Sequence, residues 1–294
     1  MKASAFAYAR ATSVDDTLKL LASHGDRAKV LSGGQSLIPA MNLRLLSPEL
    51  IVDIGELAEL RGVTVRDGVL RIGALTRHVD LLNSPEIGAH APLLSEAAAH
   101  IAHPAIRNRG TLGGSLAHAD PAAELPACML ALDATIIVRG GTGERRIAAA
   151  DFFQGIFQTA LSVEELLVAV ELPLAQKNAV YFFDEFSRRH GDYALAGLAA
   201  QAVAQDGILS DVRLAFFALG DCPVLARAGG VLINVPVTPE RLSEASMVLA
   251  DELHPHDDQQ ATASMRRHLA KVLLERCVCA LLGHQRPRTG GRAA

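Results

Sequence analysis

"VLSGGQSLIPAMNLRLL", residues 30–46, carries the reading of the whole chain. An apolar run enters two adjacent glycines, Gly33 and Gly34, followed by Gln35, Ser36 and a stretch with helical spacing. A glycine pair lets another group approach the backbone, so the candidates are a phosphate, a neighbouring strand or a plain turn. Working outward, "AKVLSGG" reads as a short buried strand and "LIVDI" (50–54) as another. Residues 28–54 therefore read strand, glycine turn, helical or irregular crossover, strand, a spacing that permits parallel pairing. Upstream, "SVDDTLKLLASHG" (13–25) has a Ser cap, acidic residues in its first turn and a closing glycine, which mark a helix.

Two nucleotide-binding patterns are tested first. Asp53 ends the strand twenty residues after Gly33, the spacing of a ribose-binding acid. A dinucleotide fingerprint needs G-x-G-x-x-G, however, and these glycines are adjacent with no third. No GK[ST] follows either, which excludes a P-loop.

Beyond residue 60 the texture changes. "GVTVRDGVLRIGALT" (62–76) alternates around Asp67-Gly68 and predicts a hairpin. "LLSEAAAHI" predicts a helix, "RNRGTLGGSLAHAD" a glycine-rich loop, and "PAAELPACMLAL" a helix opened by Pro121. "ATIIVRGGTGERRIAAADF" predicts a second hairpin, and "ELLVAVELP" (165–173) a strand ending at Pro173. "AQKNAV" (175–180) reads as a linker. After it come "AVYFFDEFSRR", a helical "YALAGLAAQAVA", a strand pair around "DGILSDVRLAFFALG", and helices from Thr238 onward. The order predicts an α+β protein with two subdomains, about 1–57 and 58–177, and a smaller unit at 178–294.

Composition narrows the function. Half of the 294 residues are hydrophobic and a fifth are charged, which marks a globular chain. A net charge of −4 and the absence of Trp give no footprint for nucleic acid. Four cysteines, Cys128, Cys222, Cys277 and Cys279, form no C-x-x-C pair. Cys277 and Cys279 fall on different faces of a helical pattern, so the chain carries no iron–sulfur or zinc motif of its own. Reduced thiols predict a cytoplasmic setting. Arg10 interrupts the N-terminal apolar patch before it becomes a signal-peptide core, and no run reaches the length of a membrane span. The tail "HQRPRTGGRAA" reads as a frayed basic end. His100, His103 and His118 invite a metal reading, but His103-Pro104 breaks the helix that would align them.

The second glycine stretch changes the weight of the first. Gly113-Gly114-Ser115 repeats the local idea of Gly33-Gly34-Gln35-Ser36, with Arg107 and Arg109 adding charge. Two facing nests of backbone N–H groups would hold both halves of a pyrophosphate. At these residues the chain resembles a known family. "SGGQSLIPAMNLRL", "IRNRGTLGGSLAHADPAAELP" and "FSRRHGDYALAG" are similar to the FAD-binding medium subunit of the molybdenum hydroxylases, which includes the carbon monoxide dehydrogenase flavoproteins within the xanthine dehydrogenase superfamily. The likeness runs from about residue 1 to 285.

The resemblance implies a two-subdomain FAD-binding fold of the vanillyl-alcohol-oxidase-like (PCMH) type over residues 1–177. A carbon monoxide dehydrogenase flavoprotein-like C-terminal domain would follow. It implies a first FAD loop at Leu31, Ser32, Gly33, Gly34, Gln35, Ser36 and Leu37. A second would be Thr111, Leu112, Gly113, Gly114 and Ser115. Gln35 and Ser36 suit side-chain donors or turn closure. Ile101 matches a cleft-lining position and equally a core residue. Asp120 suits a flavin contact and a helix N-cap before Pro121. Glu124, one turn on, matches an acidic flavin contact, where an acceptor would suit the ring N3–H. Leu167 matches a backbone contact or plain core. Tyr193 falls where an aromatic stands beside the flavin ring, or is a core tyrosine at a helix start. Many relatives carry Lys before the arginine pair, where this chain has Asp184-Glu185.

The implied function is electron transfer by FAD in a three-component molybdenum hydroxylase, with no catalytic acid, base or nucleophile on this chain. Partners would be a small iron–sulfur subunit with two [2Fe–2S] clusters and a large subunit with the molybdenum cofactor, as a dimer of heterotrimers. An autonomous FAD-dependent oxidoreductase and a flavin-free scaffold of the same fold remain as alternatives.

Overall fold

The computed structural model describes residues 2–283. The basic tail lies outside the described residues. Ser13 opens the first helix, α1 (Val14–His24), by accepting the Asp16 N–H at 3.0 Å, and Gly25 closes it at φ +57. A three-stranded parallel sheet flanks it: β1 (Ala7–Arg10), β2 (Ala28–Leu31) and β3 (Leu50–Asp53), in the order β1-β3-β2. The β2–β3 crossover contains the glycine turn and α2 (Leu37–Asn42), as its length permits. Val14, Leu21 and Val52 pack in one cluster with Ile137 and Val168 of the next sheet.

That sheet has five antiparallel strands. β4 (Val63–Arg66) and β5 (Val69–Gly73) form the first hairpin, with Asp67 at φ 51 and Gly68 at φ 77. Positive φ at both turn residues matches the right-handed twist of the strands. Six helices follow: α3 (His78–Asn83), α4 (Pro85–His90), α5 (Pro92–His100), α6 (Pro104–Arg107), α7 (Leu112–His118) and α8 (Glu124–Ala131). The second hairpin is β6 (Thr135–Gly140) with β7 (Gly143–Ala148). A short α9 (Ala149–Phe152) and the paired β8 (Phe153–Gly155) and β9 (Gln158–Thr159) lead to β10 (Leu166–Pro173). β10 lies between β5 and β6, so the order is β4-β5-β10-β6-β7. Leu70, Ile72, Leu81, Leu94, Leu112, Leu116 and Phe152 are fully or nearly fully buried in the cluster between this sheet and its helices. Each such side chain stabilises the fold by roughly 1.5–3 kcal/mol.

The C-terminal sheet comprises β11 (Ala179–Ser187), β12 (Ala194–Gln205), β13 (Ile208–Phe217) and β14 (Val224–Leu225), antiparallel in that order. Helices α10 (Pro239–Glu252) and α11 (Ala263–Leu281) cover one face, and α8 approaches the other. On α11, Cys277 is buried and Cys279 exposed.

Three expectations fail here. "YALAGLAAQAVA" is strand β12, not helix. Its alternate residues Ala196, Leu198, Ala200 and Ala202 enter one core while Ala199 enters the other. A strand buried on both faces shows no polar alternation, and its alanines then mimic helix composition. Gly197 settles the pairing, because a Cβ there would fall on the ring of its cross-strand neighbour Phe217. The "RNRGTLGGSLAHAD" stretch is helical from Leu112 to His118 rather than a loop. The next helix starts at Glu124, not Pro121, with Ala123 at its N-cap.

Candidate functional site

The two glycine stretches meet. β2 delivers Ser32 and α7 delivers Thr111, and their hydroxyls are 2.7 Å apart. A Cβ on Gly33 would fall on the carbonyl oxygen of Arg109 and 2.8 Å from the Gly110 Cα. Gly33 is thus required by a neighbouring backbone, that of the segment leading into α7. Gly34 has φ +74, a conformation that side-chain-bearing residues rarely adopt. Gln35 Nε2 donates to the Gly33 carbonyl at 2.9 Å, so its side chain closes the turn. Among the described residues, nothing accepts from the backbone N–H groups of Gly33, Gly34, Gln35 or Ser36. A row of free donors on a glycine turn is a concave anion-binding surface.

The second stretch differs, which corrects the expectation of two matching nests. Leu112 N–H donates to Thr76 O at 2.9 Å and Gly113 N–H to Ala74 O at 2.8 Å. Gly114 N–H donates to Thr111 Oγ1 at 3.1 Å and Ser115 N–H to Thr111 O at 3.0 Å. These donors are spent inside the protein. Gly113 serves packing, since its Cβ would lie 2.6 Å from that of Ala74. What α7 offers outward is the hydroxyl of the half-buried Ser115, while Thr111 is buried with its hydroxyl engaged by Ser32 and the Gly114 N–H.

His78 holds Thr111 from behind. Its Nε2 lies 3.0 Å from the Thr111 carbonyl, an acceptor, so Nε2 carries the proton. Nδ1 is buried without a partner among the described residues. Burial pushes the imidazole down to about 4, partly offset by the Thr111 hydrogen bond, and His78 is neutral at physiological pH. Nothing in its local sequence marks this role.

The remaining candidates lie toward α8. Ala119, at φ 50, ends α7. Asp120 then folds on itself: its Oδ1 accepts from Ala122 N–H at 2.9 Å and its carbonyl from Ala123 N–H at 3.0 Å. It builds the turn before α8 and does not cap that helix. Ile101 is buried, and its carbonyl accepts from Arg107 at 2.8 Å. Leu167 is buried in β10 at an irregularity in the β6 pairing, so its side chain is core. Tyr193 is 71% exposed immediately before β12, not a core tyrosine. Its hydroxyl is pushed up by the surrounding protein and by the carboxylates of Asp120 and Glu124.

Glu124 sits at the first residue of α8 and is half-buried. Its carboxyl is pushed up to about 8, chiefly by desolvation and next by Glu185. Glu185 stands 3.6 Å from His100 Nδ1, and the His100 imidazole is raised by that contact. Asp184, on the opposite face of β11, pairs with Arg276 at 2.9 Å. His100 thus faces a carboxylate.

Known proteins share this architecture. Residues 4–175 match the family described as the FAD binding domain in molybdopterin dehydrogenase. Residues 181–281 match the CO dehydrogenase flavoprotein C-terminal domain. The chain is 40% identical to the 6-hydroxypseudooxynicotine dehydrogenase complex subunit alpha of Paenarthrobacter nicotinovorans, with 98% of each chain covered. It is 38% identical to the nicotine 6-hydroxylase medium subunit of the same organism, covering 95% of this chain and 98% of that one. The fold superposes on a chain of carbon monoxide dehydrogenase from Hydrogenophaga pseudoflava with a TM-score of 0.94 and 33% identity, over 97% of this chain and 100% of that one.

Proposed function

The chain belongs to the FAD-binding medium subunits of the molybdenum hydroxylases, and we propose that it is the electron-exit subunit of such an enzyme. It would stand between [2Fe–2S] clusters on a small subunit and an external acceptor, with the molybdenum cofactor on a large subunit. FAD supplies the redox chemistry when bound, and the protein supplies binding, orientation and electrostatics. The observation that carries the placement is the free N–H row at Gly33–Ser36 against the Ser32–Thr111 hydroxyl pair. Those donors suit a pyrophosphate.

Leu31 and Leu37 bound that row; Leu112 donates to Thr76, Gly113 packs on Ala74, and Gly114 lies against Thr111 and Ser32, which seats α7 beside the glycine turn. Ile101, Asp120, Glu124, the Leu167 backbone and Tyr193 would serve the flavin end. The exposed Leu43, Leu45 and Leu46 follow the C-terminal end of α2 directly. They offer apolar surface for a partner subunit to cover. We read residues 1–177 as the FAD-binding unit and 178–294 as the C-terminal one, in a cytoplasmic dimer of heterotrimers. Among the described residues no helix is long and apolar enough to cross a membrane.

The visible spectrum of the purified chain tests this reading. It should be yellow and release FAD rather than FMN on denaturation. Organic substrate should reduce the flavin only after the small and large subunits are added. Reduction of the isolated chain by substrate would make it an autonomous oxidoreductase, and a colourless chain that takes up no FAD would make it a scaffold.

A further inference from the structure

α11 buries an arginine where the C-terminal sheet meets the turn before α8. Arg266 is 7% exposed, and a guanidinium at that depth needs its donors satisfied. One terminal nitrogen, Nη1, donates to two carbonyls at once, that of Leu195 at 2.6 Å and that of Ala218 at 3.1 Å. The other, Nη2, pairs with Asp258 at 2.7 Å. Asp258 is held in turn, since its Oδ1 accepts the N–H groups of Gln260 and Ala261.

Both carbonyls belong to backbone outside the regular ladder. The β11–β12 register pairs Ser187 with Ala194 and Phe186 with Ala196, so Leu195 is skipped at a bulge. Ala218 follows β13 directly at φ +60, a left-handed conformation that alanine rarely adopts. Held there, Ala218 donates its N–H to Pro121 O at 2.8 Å, inside the turn that Asp120 builds. Leu195 comes two residues after Tyr193. On the other side of Tyr193, Gly191 at φ +88 lies against Ala102 and His103, where a Cβ would fall 2.7 Å from His103 Cε1. Arg188 donates to Gln260 O, in the loop that holds Asp258. Tyr193 itself is too exposed for core packing to fix it. Its position follows from these backbone anchors, and Arg266 joins one of them to the Asp120 turn.

We propose that Arg266 is a positioning residue for the flavin end: one guanidinium clamps the Tyr193 backbone and, through Ala218, the Asp120 turn into a single unit. Resting on the flavin reading above, this gives the C-terminal domain a part in cofactor binding. Arg266 acts through those backbones and not by contact with the cofactor. A lysine is a poor substitute, because its ammonium lacks the fork that serves Asp258 from one nitrogen and both carbonyls from the other.

Fluorine NMR of the full chain labelled with 3-fluorotyrosine tests the clamp without flavin. The three tyrosines, Tyr8, Tyr181 and Tyr193, should give three resonances, and Tyr193→Phe identifies its own. Arg266→Met keeps the apolar stem and removes the donors. Arg266→Lys keeps the charge and serves where the methionine variant does not fold. In either, the Tyr193 resonance should shift or broaden while that of Tyr8 stays in place. FAD should bind folded Arg266→Met roughly tenfold or more weakly, read by flavin fluorescence. Combined with Tyr193→Ala, the loss should be smaller than the sum of the two, because the clamp then has no aromatic left to place. A merely structural arginine would lower the urea midpoint and leave the native Tyr193 resonance and the FAD affinity where they were. An unmoved resonance, an unchanged FAD affinity or strict additivity with Tyr193→Ala overturns the proposal. Failure of the natural chain to take up FAD overturns the flavin reading instead, and the Tyr193 resonance still decides whether Arg266 places that residue.

Discussion

Ser32 and Thr111 are 79 residues apart in the chain, and their hydroxyls meet at 2.7 Å. The contact joins the exit of a parallel strand to the cap of a short helix, and Thr111 Oγ1 also accepts the Gly114 N–H. One hydroxyl therefore caps α7 and locks it to the glycine turn.

Breaking that lock should separate the two elements. Thr111→Val keeps the shape and removes the hydroxyl, which should cost about 1 kcal/mol for the cap and a similar amount for the bridge. Ser32→Ala should cost about 1 kcal/mol by itself. In a double-mutant cycle read by urea unfolding and FAD affinity, the two should couple. Strict additivity in both measurements would mean that the bridge contributes nothing.

Gly33→Ala places a methyl group on the Arg109 carbonyl, a backbone atom that no side-chain rotation moves aside. The two segments must shift, at a cost of roughly 1–3 kcal/mol. FAD retention should fall sharply, measured as the flavin-to-protein absorbance ratio after gel filtration. Full occupancy in this variant would show that the turn can give way without disturbing the cofactor.

His78 makes the fold sensitive to acid. Its folded value of about 4 lies below the ordinary 6.5, so the unfolded chain binds the extra proton between those values. Stability is therefore complete above pH 6.5 and is lost as pH falls toward 4, by up to about 3 kcal/mol. In His78→Gln, whose amide nitrogen can replace Nε2 as the donor to Thr111, that share of the loss should disappear. Equal acid sensitivity of the two proteins in urea titrations at pH 7, 5.5 and 4.5 would refute the assignment.

Tyr193 separates binding from folding. At 71% exposure it contributes little to the core, so Tyr193→Ala should leave stability within about 0.5 kcal/mol. Under the proposed placement of Tyr193 beside the flavin, its loss should brighten flavin fluorescence and weaken FAD binding. Unchanged fluorescence and affinity would remove Tyr193 from the cofactor site.

Much of this molecule was legible from local pattern. The Ser13 cap, the Asp67-Gly68 hairpin, the parallel crossover around Gly33 and the helices after Thr238 all express signals contained within a few residues. Such features need no distant partner to define them. The motif stretches around Gly33, Gly113 and Tyr193 likewise marked the family.

Tertiary structure decided what those motifs do. Local sequence cannot distinguish a glycine that frees its N–H from one that lets a neighbour pack. At Gly33 both conditions meet, whereas at Gly113 the donor is spent on Ala74. β12 looked helical because its burial comes from two layers, α8 on one side and α11 on the other, contributed by segments far away in sequence. Glu185 and His100, 85 residues apart in the chain, likewise meet at 3.6 Å only because the fold brings β11 to α5. Backbone propensity acts over a few bonds, but packing and electrostatics act through space.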